Sequence, residues 1–233
     1  MKKKNKMITF SFDNAVTQDV KLIEILNKYG LKATFNLNSA LLGLPGELIR
    51  NNVRVNHTKN NACDVKRIYA GHEVAAHTLT HPNLTELNDE TVIYQVERDR
   101  QILSDLCGYK VVGMAYPGGG ENNDERVAKL IKSYTGIKYA RVFKSSYSYA
   151  LQKNLFRFMP SLNFCDERLF DLADKFMDDK EDELKLLYIW GHGYEPDAEI
   201  NGMTWEKFDA FCKHIAFKND VFYGTNAEVL LNE

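Results

Sequence analysis

The sequence predicts an α/β protein whose parallel β-sheet closes into a distorted barrel. Short apolar runs alternate with helical patterns along nearly all of the 233 residues, and parallel strands need crossover connections of this kind between them. Seven or eight candidate strands favour a closed barrel over a doubly wound open sheet. No linker rich in Pro, Ser or Gly interrupts the pattern, so we expect one domain with seven parallel strands over residues 1–233.

The helices between the predicted strands carry recognisable end signals. The first helix places apolar residues three or four apart, as at Leu22 and Ile25, and ends before Gly30. Thr225 and Glu228 have the spacing of a capping box for a terminal helix. Long loops are expected at 56–64, 144–155 and 191–203. The predicted strands are 7–12, 32–38, 73–78, 111–117, 138–143, 185–191 and 220–223, with a weaker candidate at 53–55.

The charge balance and the apolar pattern argue against two classes of partner. The chain has 30 Lys and Arg against 32 Asp and Glu, a net charge of −2, whereas a nucleic-acid surface usually shows as a basic domain. No apolar run approaches the roughly 18 residues that a membrane-spanning helix needs. We therefore expect no nucleic-acid partner and no membrane span.

The start of the chain and its cysteines predict a cytoplasmic location. Met1–Lys4 is basic, but the apolar run Met7–Phe12 that follows is shorter than the roughly 7 to 15 residues of a signal-peptide core. The cysteines show no CxxC or CxxH spacing, which is typical of reduced packing residues. They are Cys63, Cys107, Cys165 and Cys212.

Polar side chains end two of the predicted strands in patterns that suit metal-assisted hydrolysis. Asp13 and Asn14 follow the first strand, where they could supply a carboxylate base and an amide ligand, or simply form a turn. His77 and His81 are four residues apart, so both imidazoles can hold one cation if the segment forms a helical turn. Taken alone, the two histidines could equally be surface or capping residues.

Two further strand ends carry groups of the same kind. Tyr116–Gly120 is a glycine-rich bend whose backbone N–H groups could stabilise an oxyanion. His192 closes a strongly apolar strand and could act as a general acid. Because the carboxyl ends of parallel strands meet on one face, we expect these groups to converge with Asp13 and the histidine pair. Such a set contains the parts that a metal hydrolase needs.

Taken in order, these motifs resemble those of the polysaccharide deacetylases with the NodB-homology domain, carbohydrate esterase family 4. The resemblance implies a distorted (β/α) barrel, usually of seven strands, that removes acetyl groups from saccharides with a divalent metal. It extends over nearly the full chain. The segments that carry it are Phe10–Asn14, Gly71–Glu73 with His77-x-x-x-His81, Ala115–Gly118 and Tyr188–His192.

The resemblance implies roles for the residues that match the family motifs. As a separate hypothesis, we interpret Trp190, Tyr116 and Tyr194 as stacking faces for a sugar ring, with ordinary buried packing as the alternative, and Glu195 as a partner for sugar hydroxyls. The metal is expected to be Zn²⁺, with Co²⁺ or Ni²⁺ as alternatives. The implied assignments are Asp13 as general base, His192 as acid, the Gly118 N–H as oxyanion donor, and His77, His81 and Asn14 as metal ligands.

Several positions depart from the family pattern. Asn14 stands where the family usually has an aspartate ligand, which removes one negative charge beside the cation. Ala115 stands where many members have an arginine that orients the base, so Asp13 is expected to lack that partner unless Arg157 supplies it. The family's usual aspartate in the Arg157 region has no clear match. Trp190 replaces the leucine commonly found beside the acetyl methyl, which implies a differently shaped pocket.

We therefore predict a metal-dependent carbohydrate deacetylase that removes N- or O-linked acetyl groups from an acetylated saccharide. Asn14 and Ala115 also suit a degenerate, non-catalytic carbohydrate-binding protein on the same fold. A hydrolase of a non-sugar amide or imide is a third hypothesis, since barrels of this type also host such reactions.

Overall fold

A curled parallel sheet forms the centre of the computed structural model, which describes residues 5–180 and 182–231. The basic start at Lys2–Lys4 lies outside these residues. Paired strands follow the order β7-β6-β5-β2-β1-β9-β8, and β10 pairs with the first half of β1. The strands are β1 (Lys6–Asp13), β2 (Ala33–Leu37), β3 (Glu47–Arg50), β4 (Val53–Asn56), β5 (Glu73–Ala76), β6 (Gly113–Ala115), β7 (Tyr139–Arg141), β8 (Leu162–Asn163), β9 (Lys185–His192) and β10 (Val221–Tyr223).

The helices pack their apolar faces on the outside of this sheet. Helix boundaries follow the sequence signals: Gly108 ends the longest helix in the left-handed conformation, and Thr225 with Glu228 forms the predicted capping box. The helices are α1 (Asp19–Lys28), α2 (Val65–Ile68), α3 (Asp89–Cys107), α4 (Glu125–Tyr134), α5 (Leu169–Asp178), α6 (Trp205–Ile215) and α7 (Asn226–Leu230).

The two edges of the sheet are joined through a short segment, which confirms the predicted distorted barrel of seven parallel strands. Phe158 pairs with β7, because its N–H donates to Ala140 O at 3.0 Å and its carbonyl accepts from Val142 N–H at 2.9 Å. A few residues later β8 pairs with β9. Sequence analysis missed β8 because two residues are too few to show a periodic pattern.

The inside of the barrel is polar, whereas the space between sheet and helices is apolar. Ser11, Asn36 and Arg141 are buried within the barrel and hydrogen-bond to one another or to Asp13. At the amino end of the strands, Glu73 accepts hydrogen bonds from Thr34 and Tyr139. This division leaves a polar interior beneath the carboxyl end of the sheet, where the candidate site lies.

A two-stranded hairpin, β3–β4, stands apart from the barrel sheet and covers one side of its carboxyl end. Its first strand was not predicted, because Glu47–Arg50 is mostly exposed and shows no clear apolar alternation. Val55 and Tyr194 belong to a small apolar cluster that attaches the hairpin to the loop after β9.

Two sequence predictions concern features outside the site. No helix among residues 5–180 and 182–231 combines the length and apolar character needed to cross a bilayer. The cysteines are free thiols; Cys63 is exposed and the other three are buried, as expected of packing residues.

Candidate active site

Asp13 ends β1 inside the barrel and is held by a buried arginine. Arg141 Nη2 donates to both carboxylate oxygens at 2.5 Å, and Asn36 Nδ2 donates to Oδ1 at 2.8 Å. Asp13 is 3% exposed and Arg141 is fully buried. Burial is the largest single influence on Asp13 and would raise its pKa, but the Arg141 charge, the smaller electrostatic effects of His77 and His192, and the Arg141 hydrogen bond together lower it. Asp13 is therefore an ionised, rigidly oriented carboxylate.

The expectation that Asp13 lacks an arginine partner is wrong. Arg141 lies directly beside Ala115 in the register of β6 and β7, so the guanidinium comes from the neighbouring strand. Arg157, the substitute considered from sequence, instead binds Asn123 at 2.8 Å and Glu125 at 2.6 Å. An arginine in the predicted strand 138–143 was the available signal, because a charged side chain there must find a partner inside the barrel.

The two candidate metal-binding histidines approach each other without a helical turn. Their ring centroids are 4.9 Å apart, but His77–His81 is an irregular bend in which Thr78 has φ 69° and His81 has φ 62°. Positive φ is costly for a β-branched residue such as Thr78. The helical turn considered from sequence is therefore incorrect, although the two rings do meet.

Buried side chains hold the strained backbone of this bend in place. Asn38 Nδ2 donates to the carbonyls of His77 at 2.5 Å and Thr78 at 2.9 Å. Asp99, fully buried on α3, accepts the His77 N–H at 3.0 Å. The Thr78 hydroxyl accepts from the His81 N–H at 3.1 Å. The Asn38 and Asp99 contacts depend on long-range packing that the sequence motif does not show, whereas the Thr78–His81 contact is local.

Both histidines are suited to act as neutral nitrogen donors. His77 Nδ1 lies 2.9 Å from Ala115 O, so Nδ1 carries the proton and Nε2 keeps its lone pair. Burial lowers the pKa of His77 to about 3 and also lowers that of His81. Asn14 lines the same cavity, and its side chain forms no hydrogen bond with any residue in the described parts of the chain.

These residues fit a divalent metal by the chemistry of their donors. Two neutral imidazoles and one amide oxygen are acceptable ligands for a borderline cation such as Zn²⁺. Within the described residues no cluster of three or more His, Cys, Asp or Glu could hold an ion, and the third ligand position implied by the family resemblance is occupied by Asn14, an uncharged residue. The set therefore carries less negative charge than one with an aspartate.

His192 ends β9 and is held by Glu195, a residue for which sequence analysis proposed a different role. Glu195 Oε1 lies 3.2 Å from His192 Nδ1, and Oε2 accepts the His192 N–H at 3.0 Å. Glu195 is 9% exposed, so it does not lie open to sugar hydroxyls. A Cβ at Gly191 would lie 2.2 Å from Phe164 Cδ1 and 2.7 Å from Glu195 Oε2, so glycine allows both side chains to pack there. Glu195 directs His192 Nε2 away from itself and towards the cavity.

The loop after β6 presents a free backbone donor. Asn122 is fully buried, and its Nδ2 donates to the carbonyls of Pro117 and Gly118, each at 2.9 Å. Gly118 has φ 79° and lines the cavity. Its N–H makes no hydrogen bond among the residues that the structure describes. Asn122 thus fixes the carbonyls and leaves this N–H available.

The three predicted sugar-stacking residues all line the cavity, which has a volume of about 620 Å³. Tyr116 is 2% exposed and its hydroxyl donates to Phe156 O at 2.7 Å. Tyr194 is 5% exposed and stacks on His192 with centroids 5.0 Å apart. Trp190 is half-buried beneath the cavity, and the Arg141 guanidinium lies 4.8 Å from its ring centroid. Trp190 therefore has more ring surface available than either tyrosine.

The chain is similar to known deacetylases in sequence and in fold. Residues 1–139 match the family described as polysaccharide deacetylase. The peptidoglycan-N-acetylglucosamine deacetylase PgdA of Listeria monocytogenes is 28% identical over 123 residues, covering 52% of this chain and 23% of PgdA. The uncharacterized protein YlxY of Bacillus subtilis is 30% identical over 99 residues, covering 42% of this chain and 26% of YlxY. The chain thus spans about a quarter of the length of these relatives.

Solved structures share the fold at lower identity. A carbohydrate esterase family 4 pseudoenzyme from Bacillus anthracis has a TM-score of 0.58 at 19% identity, covering 98% of this chain and 66% of that one. The peptidoglycan deacetylase PdaC of Bacillus subtilis has a TM-score of 0.55 at 17% identity, covering 97% and 90%. On the match over residues 1–139, the chain belongs to the polysaccharide deacetylase family.

Proposed function

We propose that this protein is a metal-dependent hydrolase that removes acetyl groups from a saccharide, with residues 1–233 as one catalytic domain. One observation carries the proposal: an oriented carboxylate, two neutral imidazoles, a second oriented histidine and a free backbone N–H all face one cavity. These are the parts of a site for acyl hydrolysis.

Asp13 is suited to accept a proton from the attacking water. Arg141 and Asn36 hold its carboxylate in one orientation, and its lowered pKa keeps it ionised at neutral pH. A strongly paired carboxylate is a weak base, so the water it serves must itself be acidified. His77, His81 and Asn14 would hold a divalent metal, Zn²⁺ in our proposal, which supplies that acidity and polarises the acetyl carbonyl.

The remaining groups are suited to the developing charge and to the leaving group. The Gly118 N–H can donate to the oxygen of the acetyl carbonyl as it becomes negative. His192, oriented through Glu195, can pass a proton from Nε2 to the departing sugar nitrogen or oxygen. Trp190 offers an apolar face to the substrate, whereas Tyr194 supports the His192 ring from one side.

A non-catalytic carbohydrate-binding protein is the alternative that specific observations favour. Asn14 takes a ligand position without a charge, and the fold is also that of a pseudoenzyme. This alternative predicts saccharide binding without acetate release. The free thiols support a cytoplasmic location as a further part of the proposal, which cell fractionation would test.

Metal content and acetate release together test the proposal. Protein purified without chelator should hold about one zinc, cobalt or nickel ion per chain. Asp13→Asn should keep the metal and lose acetate release by about 100-fold or more, while His77→Ala should lose both. Full activity in purified His77→Ala would overturn the metal mechanism. A chain that stays empty after metal is added back would favour the non-catalytic alternative.

A further inference from the structure

Cations that lack a carboxylate partner line the hairpin side of the cavity. Arg50 ends β3 and Lys59 follows β4, and both residues line the same cavity as Asp13. Asp13 is the acidic residue among those that line this cavity, and its carboxylate forms an ion pair with Arg141. No carboxylate in the described parts of the chain forms an ion pair with Arg50 or Lys59. Arg50 and Lys59 are therefore two cations of this lining that no ion pair neutralises within the described residues.

Lys59 is a buried ammonium group with unused donors. It is 7% exposed, and the hydrogen bond of Nζ within the described residues is to His57 Nε2 at 3.2 Å. Burial lowers the pKa of His57 to about 4, so its neutral ring accepts from Lys59. An ammonium carries three donors, and a buried cation without compensating partners is costly. Two donors thus remain for a group that enters the cavity.

Asp19 attracts this ammonium electrostatically but forms no ion pair with it in the described parts of the chain. Asp19 is 1% exposed, and burial raises the pKa of its carboxyl to about 8. Burial also lowers the pKa of Lys59 to about 8. The Asp19 carboxyl accepts instead from the Tyr69 hydroxyl at 2.8 Å, so the remaining Lys59 donors stay available to a group in the cavity.

Arg50 places its guanidinium beside the ring that supports the candidate acid. Its Cζ lies 5.9 Å from the Tyr194 ring centroid, and Tyr194 in turn stacks on His192. Its Nη1 donates to the carbonyl of its own neighbour, Ile49, at 3.0 Å. The planar guanidinium retains donors for bidentate binding of a carboxylate or phosphate. Both cations thus line one small cavity, and Arg50 lies near the candidate acid.

We propose that Arg50 and Lys59 form a subsite for an anionic group, a carboxylate or a phosphate, on the saccharide substrate. The inference rests on the proposed deacetylase function and names its substrate class as an acidic acetylated sugar. The cavity volume of about 620 Å³ is that of a small-ligand site. Leu44 and Leu48 of the hairpin side add apolar surface for the carbon face of such a sugar.

Matched sugars and matched variants test the subsite. The probes are N-acetylglucosamine, its 6-phosphate and N-acetylmuramic acid, which are neutral, phosphorylated and carboxylated. Binding is measured by isothermal titration calorimetry and turnover by acetate release. Arg50→Gln and Lys59→Gln remove one cation each. Arg54→Gln is the control, because Arg54 is on the same hairpin, its side chain is 73% exposed and it pairs with Glu47.

We expect the wild-type protein to bind at least one charged sugar about tenfold or more tightly than the neutral one. Arg50→Gln and Lys59→Gln should reduce that preference to about threefold or less with little change for the neutral sugar, and Arg54→Gln should keep it. A preference for the phosphate or for the carboxylate identifies the natural anion. If Lys59→Gln does not fold, the charge preference of Arg50→Gln alone tests the subsite. The Arg50 side chain is exposed, so its replacement should leave the fold intact.

Two results would overturn the subsite. One is a wild-type protein that binds neither charged sugar more tightly than the neutral one. The other is an equal loss of preference in Arg54→Gln and Arg50→Gln. Because binding is measured independently of turnover, charge preference without acetate release would refute the deacetylase and keep the subsite. Acetate release without charge preference would refute the subsite and keep the deacetylase.

Discussion

Arg141 donates to both carboxylate oxygens of Asp13 across the interior of the barrel, each at 2.5 Å. The two residues are 128 positions apart in sequence and lie on strands separated by three others in the sheet order. Ala115, the register partner of Arg141 on β6, leaves the neighbouring position without a side chain that could compete for this space. The arginine that holds Asp13 thus lies on β7, one strand beyond the β6 position at which the family resemblance places an arginine.

Removing Arg141 should damage both activity and stability. Arg141→Gln leaves the buried Asp13 charge without its ion-pair partner, which typically costs about 3–5 kcal/mol. Acetate release should fall by about 100-fold or more, because the carboxylate also loses its orientation. Urea unfolding and acetate-release kinetics measure the two effects. A variant as active as the wild type would contradict the assignment of Arg141.

The register of β6 and β7 permits a more specific test. In Arg141→Ala/Ala115→Arg the guanidinium starts from the adjacent strand, at the position where the family resemblance places an arginine. We expect this double variant to recover about tenfold of the activity that Arg141→Ala alone loses. Acetate-release kinetics of the three variants measure the coupling. No recovery, in a double variant with wild-type stability, would show that the family position is no longer usable here.

Glu195 should affect turnover more than binding. Glu195→Gln retains an acceptor for the His192 N–H but loses the negative charge beside Nδ1. We expect kcat to fall by about 10- to 100-fold with KM little changed. Glu199→Gln is the control, since Glu199 lies in the same loop but is exposed. Equal effects of the two substitutions on kcat would argue against a positioning role for Glu195.

Restoring a carboxylate at position 14 should tighten metal binding. Asn14 has φ 84°, a conformation that aspartate tolerates nearly as well as asparagine. Asn14→Asp adds a negative charge beside His77 and His81, so we expect the metal Kd to fall by about tenfold or more. Competition with a chelating dye measures it. Unchanged affinity would remove Asn14 from the ligand set.

Asp19 should make stability depend on pH. Burial raises the pKa of Asp19 from 3.8 to about 8 in the folded chain, so the folded state binds the proton more tightly than the unfolded state does. The stability from the protonated carboxyl is fully present below pH 3.8 and is lost as the pH rises through about 8.

The Asp19→Asn variant isolates this effect. From about pH 5 to about pH 8, we expect the wild-type free energy of unfolding to fall relative to the variant by on the order of 2–4 kcal/mol. Urea titrations at both pH values measure the difference. The exposed Asp105→Asn is the control, and a similar pH trend in both variants would contradict the assignment to Asp19.

Sequence analysis predicted the fold well because its elements are locally encoded. The strands around Phe10, Ala75 and Ile189 are apolar runs buried in the sheet, and such runs are visible without tertiary information. Elements that depend on distant partners were missed. β8 has two residues that extend only because they pair with β9, and β3 is mostly exposed and exists through its pairing with β4.

The residues facing the cavity could be selected from the sequence, whereas the residues behind them could not. Asp13 and His192 end their strands and His77 directly follows β5. Parallel topology alone brings such strand ends to one face. Their partners come from elsewhere: Arg141 from a strand across the barrel and Asp99 from a helix. A side chain's hydrogen-bond partner depends on packing distances that no linear pattern records.

By itself, the sequence determined the order of strands and helices, the residues at the carboxyl ends of the strands, and the family. The tertiary structure decided which charges pair, how the His77–His81 bend holds two left-handed residues, and which cations are left over. The physical reason is that periodicity and turn chemistry are local properties. The ionisation and orientation of a buried group are set by whatever neighbours the fold brings within a few ångströms of it.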